Sequence, residues 1–223
     1  MTMDAAREAA TIVITRLGPA GTEVLMLRRS PDSPAFPGMW VFPGGTVSSA
    51  DRDNADPLRA AAVREAAEEC GLVIAPEELQ PLSKWLPPAT ARARFDTRFY
   101  RAEFVEGDVR TDDYEVVDHA WITADAALAR HAEGAWDFMP PTWVTLARLA
   151  GAGNGEVEGP DEFHSHVVGA DPTVLAWHGD EHHPYHPGPP GARHRITLGA
   201  RPWVYLRHGP RTAETAKPKE AVA

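Results

Sequence analysis

The sequence predicts an α/β fold with a carboxyl-terminal extension. Three observations lead there: short β-branched and apolar runs, helical segments that alternate with them, and proline- or glycine-rich punctuation between the two. With 223 residues and 43% hydrophobic content, the chain suffices for one generous domain, or for one domain plus an extension. Its net charge of −10 argues against a protein that grips nucleic acid through a broad basic surface. No nucleic-acid partner is expected.

Residues 11–15 and 23–28 are β-branched or apolar and flank Gly18-Pro19-Ala20-Gly21, the pattern of a hairpin. Residues 30–38, rich in proline and serine, read as a loop leading to the short apolar run 39–42 and a turn at Pro43-Gly44-Gly45. A helix is expected over about 58–70, with Pro57 suited to its first turn and Gly71 to its stop. Residues 76–79 suggest a short turn, and 83–86 and 94–105 read as strands, the second with Phe95 and Phe99 on its core side. Residues 115–122 form a further expected strand, after which Thr123 caps a helix running to about His131. Pro140-Pro141-Thr142 then opens a helix over 143–149.

The glycines between 151 and 155 mark the expected end of a main domain covering 9–150. An extension over 151–210, packed on that domain, is expected to hold short strands at 173–177, 195–198 and 203–206. Residues 211–223 lack large apolar side chains and read as a mobile tail. His178, His182, His183 and His186 fall in or beside a Pro- and His-rich stretch, 179–191, which reads either as a loop or as a second metal site, since neutral imidazole is a common ligand.

The chemistry concentrates in Arg64-Glu65-Ala66-Ala67-Glu68-Glu69-Cys70-Gly71-Leu72. On a helix, Glu65, Glu68 and Glu69 fall within a sector of roughly 100°, with Ala60, Val63, Ala67 and Cys70 expected on the opposite, apolar side. Three carboxylates so close repel one another unless a cation faces them, and hard oxygen ligands suit Mg²⁺ or Mn²⁺; the bland alternative is a solvated helix face. Gly44-Gly45 offers a backbone that a phosphate or metal can approach closely. The single cysteine, Cys70, rules out an intramolecular disulfide, fits a reducing compartment and reads as a small buried residue. The apolar run 9–14 is too short for a signal core or a membrane span, so a cytoplasmic location without a membrane partner is expected.

These residues resemble the signature of the Nudix hydrolases, a glycine and a spaced glutamate followed by R-E-U-x-E-E-x-G-U, where U is bulky and apolar. Gly45 takes the first glycine, and Arg64, Glu65, Glu68, Glu69, Gly71 and Leu72 take the second half in register. Asp51 stands where the signature has its spaced glutamate, the stretch from Asp51 to Arg64 is five residues longer than the signature's, and Ala66 replaces a bulky residue. The resemblance implies an α/β/α sandwich, a mixed sheet held between helices. It implies Mg²⁺ or Mn²⁺ held principally by Glu65 and Glu69, with Glu68 as a further ligand or base, the Gly44 carbonyl as another donor, and Arg64 holding a glutamate in position. Members draw the general base from the signature or from a later loop. Glu115, near the start of a strand after an acidic turn, is the later candidate, against the alternative of an ordinary solvated turn residue.

More of the chain is similar to the acyl-CoA and CoA diphosphatase branch, through Arg94-Phe95-Asp96-Thr97-Arg98-Phe99-Tyr100 and Met139-Pro140-Pro141-Thr142. Leu25, Arg29, Ser30, Gly38 and the Phe42-Pro43-Gly44-Gly45 run also match a motif of CoA-cleaving members, although its spaced arginine falls at Pro34 and its threonine at Leu27. Arg29 and Trp40 become the substrate-binding candidates, Trp40 by stacking on a nucleobase or, alternatively, serving as packing. The resemblance implies cleavage of a small nucleoside diphosphate derivative, CoA or acyl-CoA first, then nucleotide sugars or dinucleotides. A non-catalytic nucleotide-binding sensor is the competing class. Relatives admit a homodimer.

Overall fold

Strand β1 (Arg7–Gly18) anchors the sheet because it pairs along both edges. On one edge it meets β2 (Gly21–Arg29) as the expected hairpin and β4 (Gly44–Thr46), both antiparallel. On the other it runs parallel to β6 (Phe95–Glu103) from Arg7 to Thr15. β5 (Gln80–Leu86) lies antiparallel to β6, and β8 (Asp161–His164) parallel to β5. β3 (Trp40–Val41) and β7 (Val116–Thr123) both pair with β2. The order β3-β2-β1-β6-β5-β8, with β4 on β1 and β7 on β2, makes one mixed eight-stranded sheet. The structure, a computed structural model, describes residues 6–91, 93–103, 107–111, 114–151 and 160–208. The expected tail at 211–223, the end of the 94–105 strand and most of the glycine-rich segment after 151 lie outside them.

The sheet is covered on both faces. Ala10, Ile12, Ile14, Leu25 and Leu27 share a core with helix α1 (Pro57–Cys70), while the alternate residues Val13, Val24 and Met26 are also buried. Since successive side chains point to opposite faces, a run buried at every position has protein on each side. α2 (Ala124–Ala132) packs on β7, β2 and α3 (Pro140–Gly151). The predicted α/β architecture with a mixed sheet is the one observed.

Local chemistry sets the helix ends. The Asp56 side chain accepts from Arg59 N–H, Pro57 occupies the first turn, and Gly71 adopts φ 71° while Gly71 and Leu72 donate to Ala67 and Ala66 carbonyls. The inner face of α1 differs from the expected one: Ala61, Ala62, Ala66, Glu69 and Cys70 are buried, and Ala67 is exposed. Small side chains bring the helix close to the sheet, and this rotation carries Glu69 inward with them. Cys70 donates to Ala66 O, and burial pushes its thiol up to about 12, which leaves it inert. Thr123 caps α2 as expected, accepting from Ala126 N–H.

The turn expected at Pro43-Gly44-Gly45 is instead the entry to strand β4. Gly44 sits at φ 154°, and a Cβ there would strike the Ala10 carbonyl oxygen, so glycine is what lets β4 lie against β1.

Contacts divide the chain into two units, Met1–Ser165 with Ala200–Pro202, and His166–Gly199 with Trp203–Ala223. β8, beyond the expected end of the main domain, is a strand of the first unit's sheet. The second unit is an antiparallel sheet of β9 (His166–Ala170), β10 (Thr173–Ala176), β11 (Arg193–Thr197) and β12 (Val204–His208), in the order β12-β11-β10-β9. Fully buried Asp180 organises its histidine-rich loop, accepting from His182 and His194 N–H and pairing with Arg195. His183 Nδ1 accepts from the Tyr185 and His186 amides, and no group of three His, Cys, Asp or Glu suited to a metal is found among the described residues. No helix among the described residues is long and apolar enough to cross a membrane.

Ile12 is fully buried between β1's neighbours and α1. Replacing it by alanine is expected to lower stability by about 2–5 kcal/mol, read from the urea midpoint with the m-value unchanged.

Candidate active site

The last two turns of α1 deliver three carboxylates at graded depth. The Glu68 side chain is 59% exposed, Glu65 15% and Glu69 4%. They do not converge on one point. Glu68 turns out to Arg64, Glu65 packs on Gly45, and Glu69 points under β4, where the Gly44 N–H donates to Oε2 at 2.8 Å. A Cβ on Gly45 would sit on the Glu65 carboxylate, so the second glycine also holds space for an acidic side chain.

Burial governs the charge state of this group. It pushes Glu69 up to about 8; the Gly44 hydrogen bond and Arg29 act the other way, while Glu65 and Glu115 add to the rise. Burial also raises Glu65, opposed by Arg64 and assisted by Glu68 and Glu115. Glu115, distant in sequence, therefore stands within the field of both helix carboxylates. Arg64 contacts Glu65 and Glu68, and Glu115 acts on Glu65 and Glu69 through its charge.

Arg64 spans the outer half of the cluster. Its guanidinium meets Asp51 at 2.9 Å, Glu65 at 2.9 Å and Glu68 at 2.8 Å, and donates to the Thr46 carbonyl at 3.1 Å. Asp51, which stands in place of the signature's spaced glutamate, is 3% exposed and is the inner anchor of that guanidinium. The lengthened loop after it holds a short 3₁₀ turn (Asp51–Asp53) and the Asp56 cap, so the added residues leave the Asp51–Arg64 pairing intact. The signal was present in the sequence as Ser48-Ser49-Ala50-Asp51: Ser48 N–H donates to Asp51 Oδ2, and Asp51 N–H to Ser48 Oγ, a reciprocal cap.

Two expectations need correction. Arg29, a substrate-binding candidate, is 9% exposed and engaged internally, with Glu115 at 2.7 Å, Glu69 at 3.5 Å, Ser33 Oγ at 2.8 Å and the Ala35 carbonyl at 2.9 Å. It lies on the helix-facing parity of β2 with Leu25 and Leu27, which turns it inward. Trp40, expected beside the glycines as a stacking platform, is buried against Trp136 at 3.8 Å between ring centroids, nearly parallel. That ring face is spent on packing.

Burial acts to raise the Asp51 carboxyl, but hydrogen bonds from Arg64 and from the Ser48 amide and hydroxyl outweigh it and lower the value from 3.8 to about 2. A depressed folded-state value contributes stability above about pH 4 that is lost as pH falls toward 2. Asp51→Asn is therefore expected to cost about 2 kcal/mol at pH 7, with the gap to wild type closing between pH 4 and 2 in denaturant titrations.

A nudix hydrolase named in Caenorhabditis elegans is 26% identical over 181 residues, covering 65% of this chain; this chain spans 60% of that relative's length. A NUDIX hydrolase structure from Alicyclobacillus acidocaldarius superposes with a TM-score of 0.61 at 26% identity, over 71% of this chain and 100% of that one. A MutT protein from Methanosarcina mazei Go1, at 20% identity and a TM-score of 0.50 over 68% of this chain and 96% of the other, shares the fold. Residues 6–141 match the NUDIX domain, more than half of the sequence, and the chain belongs to that family.

Proposed function

We propose that the chain is a divalent-metal-dependent pyrophosphohydrolase that cleaves the diphosphate of a nucleoside diphosphate derivative, with CoA or an acyl-CoA as the leading substrate. Family membership supports a hydrolase. The observation that carries the reading is the nearly buried Glu69 carboxylate set in the field of Glu65 and Glu115.

The donor chemistry, carboxylate oxygen, suits a hard cation, although the side chains as they stand form no three-ligand cluster among the described residues. Asp51, Glu65, Glu68, Glu69 and Glu115 all contact Arg29 or Arg64, five carboxylates against two guanidiniums. A divalent ion would offset most of that excess, and carboxylate oxygen is the ligand type Mg²⁺ and Mn²⁺ favour. Glu65 and Glu69 would hold it, Glu68 would add an oxygen, and the Gly44 carbonyl is the backbone candidate. When bound, the ion lowers the repulsion between phosphate oxygens and an incoming water and makes that water more acidic.

The protein's own groups supply the rest. Gly44 N–H fixes Oε2 of Glu69, and Arg64 orients Glu65 and Glu68 from the outer side. Glu115, with its side chain half exposed, takes the proton of the attacking water at its carboxylate. The matches at 94–100, 139–142 and the Arg29-to-Gly45 stretch support the CoA class over nucleotide sugars and dinucleotides. Because Arg29 and Trp40 are engaged internally, substrate recognition falls to other residues.

Incubation with CoA esters, nucleotide sugars and dinucleotides in Mg²⁺ or Mn²⁺, with products identified by mass, decides the substrate. Release of phosphopantetheine products is expected, and retained nucleotide binding without turnover of any diphosphate would assign a sensor instead. Glu69→Gln should lower kcat at least about a hundredfold with an unchanged circular dichroism spectrum, whereas normal turnover in that variant rejects its ligand role.

A further inference from the structure

Glu69 and Glu115 reach the site by independent routes. Glu69 is carried on α1 and secured by Gly44. Glu115 precedes β7, and its backbone and side chain are both tied to the end of β2: its carbonyl accepts from Ser30 N–H at 2.8 Å, and its Oε1 from Arg29 Nη2 at 2.7 Å.

Strand geometry explains the convergence. Arg29 shares the helix-facing side of β2 with Leu25 and Leu27. Opposite it the β2–β7 pairing shifts, so that Arg28 faces Asp118 and Arg29 faces Val116. The extra residue, Val117, is 39% exposed, while Val116 is fully buried in the core beneath α1. A bulge of this kind re-aims the chain on its far side, which here is the Glu115 end of β7.

Arg29 is itself locked. Its Nε donates to Ser33 Oγ and the Ala35 carbonyl, and Nη2 also donates to Ser33 Oγ. Its remaining amino group, Nη1, lies 3.5 Å from Glu69 Oε1. A guanidinium is a rigid planar fork, so two carboxylates held on its two amino nitrogens have a set spacing; an ammonium is a single point charge and imposes none.

We propose that Arg29 is a positioning residue that sets the separation of Glu69 and Glu115 and so places the proton-accepting carboxylate, a role that rests on the hydrolase reading above. Arg29 touches neither substrate nor water in this role. It acts through the two glutamates.

Kinetics and structure test it separately. In Arg29→Ala, kcat falls about a hundredfold while KM changes less than about threefold, because displacing a base by an ångström costs rate and leaves ground-state binding intact. Arg29→Lys, which keeps the charge and loses the fork, shows most of the same loss and serves as the second variant where alanine impairs folding. Added guanidinium ion restores part of the Arg29→Ala rate. Crystal structures of wild type and of both variants give a readout independent of turnover: the Glu115 carboxylate swings away from Glu69. The role is overturned if Glu115 stays in place in the variants, whatever their rate, or if kcat is unchanged. A wild-type protein that cleaves no diphosphate refutes the hydrolase reading alone, since the structures still decide whether Arg29 spaces the two carboxylates.

Discussion

Holding the Glu69 carboxylate inside the protein is the constraint on which the rest of the site depends. A carboxyl taken out of water among other negative groups is unstable as an anion unless donors and positive charge are built around it. Gly44 N–H and Arg29 are those partners, and each imposes a condition on the chain. β4 must run directly beneath the helix, which only a residue without a Cβ permits at position 44, and β2 must end with its arginine turned inward. The alanines of α1 serve the same end by letting the helix descend close enough for Glu69 to reach the strand.

Two guanidiniums divide the remaining negative charge by depth. Arg64 works on the outer side, with one end anchored on buried Asp51 and the other spread over Glu65 and the exposed Glu68. Arg29 works on the inner side, between Glu69 and Glu115. Of the outer cluster only the Glu68 pair is open to water and individually weak, whereas Asp51 anchors Arg64 from a buried position. On the inner side Arg29 and Glu69 are shielded while Glu115 is half exposed, and a buried carboxylate that loses its partner finds no solvent to replace it.

Much of the site was legible because its determinants are local. Glu65, Glu68 and Glu69 follow from helical spacing, the helix ends from Asp56, Pro57 and Gly71, and the Arg64 clamp from its place beside them. Asp51 was legible in position but not in role, since its pairing with Arg64 crosses a loop whose length says nothing of where the two ends meet. Arg29 was misread, and for Trp40 the packing alternative prevailed over stacking, for a related reason. Proximity to the glycine run in sequence gave no account of which side of a two-faced sheet each occupies, and the Trp136 ring that covers Trp40 lies far along the chain.

What the sequence alone determined is the set of short-range patterns: apolar alternation for the strands, caps and stops for the helices, and the acidic turn that matches the family signature. Tertiary structure decided the depth of each carboxylate, the conversion of a presumed glycine turn into a strand, and the meeting of Glu115 with α1 through Arg29. The physical reason is range. Backbone preferences and helical periodicity act over a few residues, whereas burial and charge compensation depend on which distant segments share a face, and that is settled only when the sheet has formed around β1.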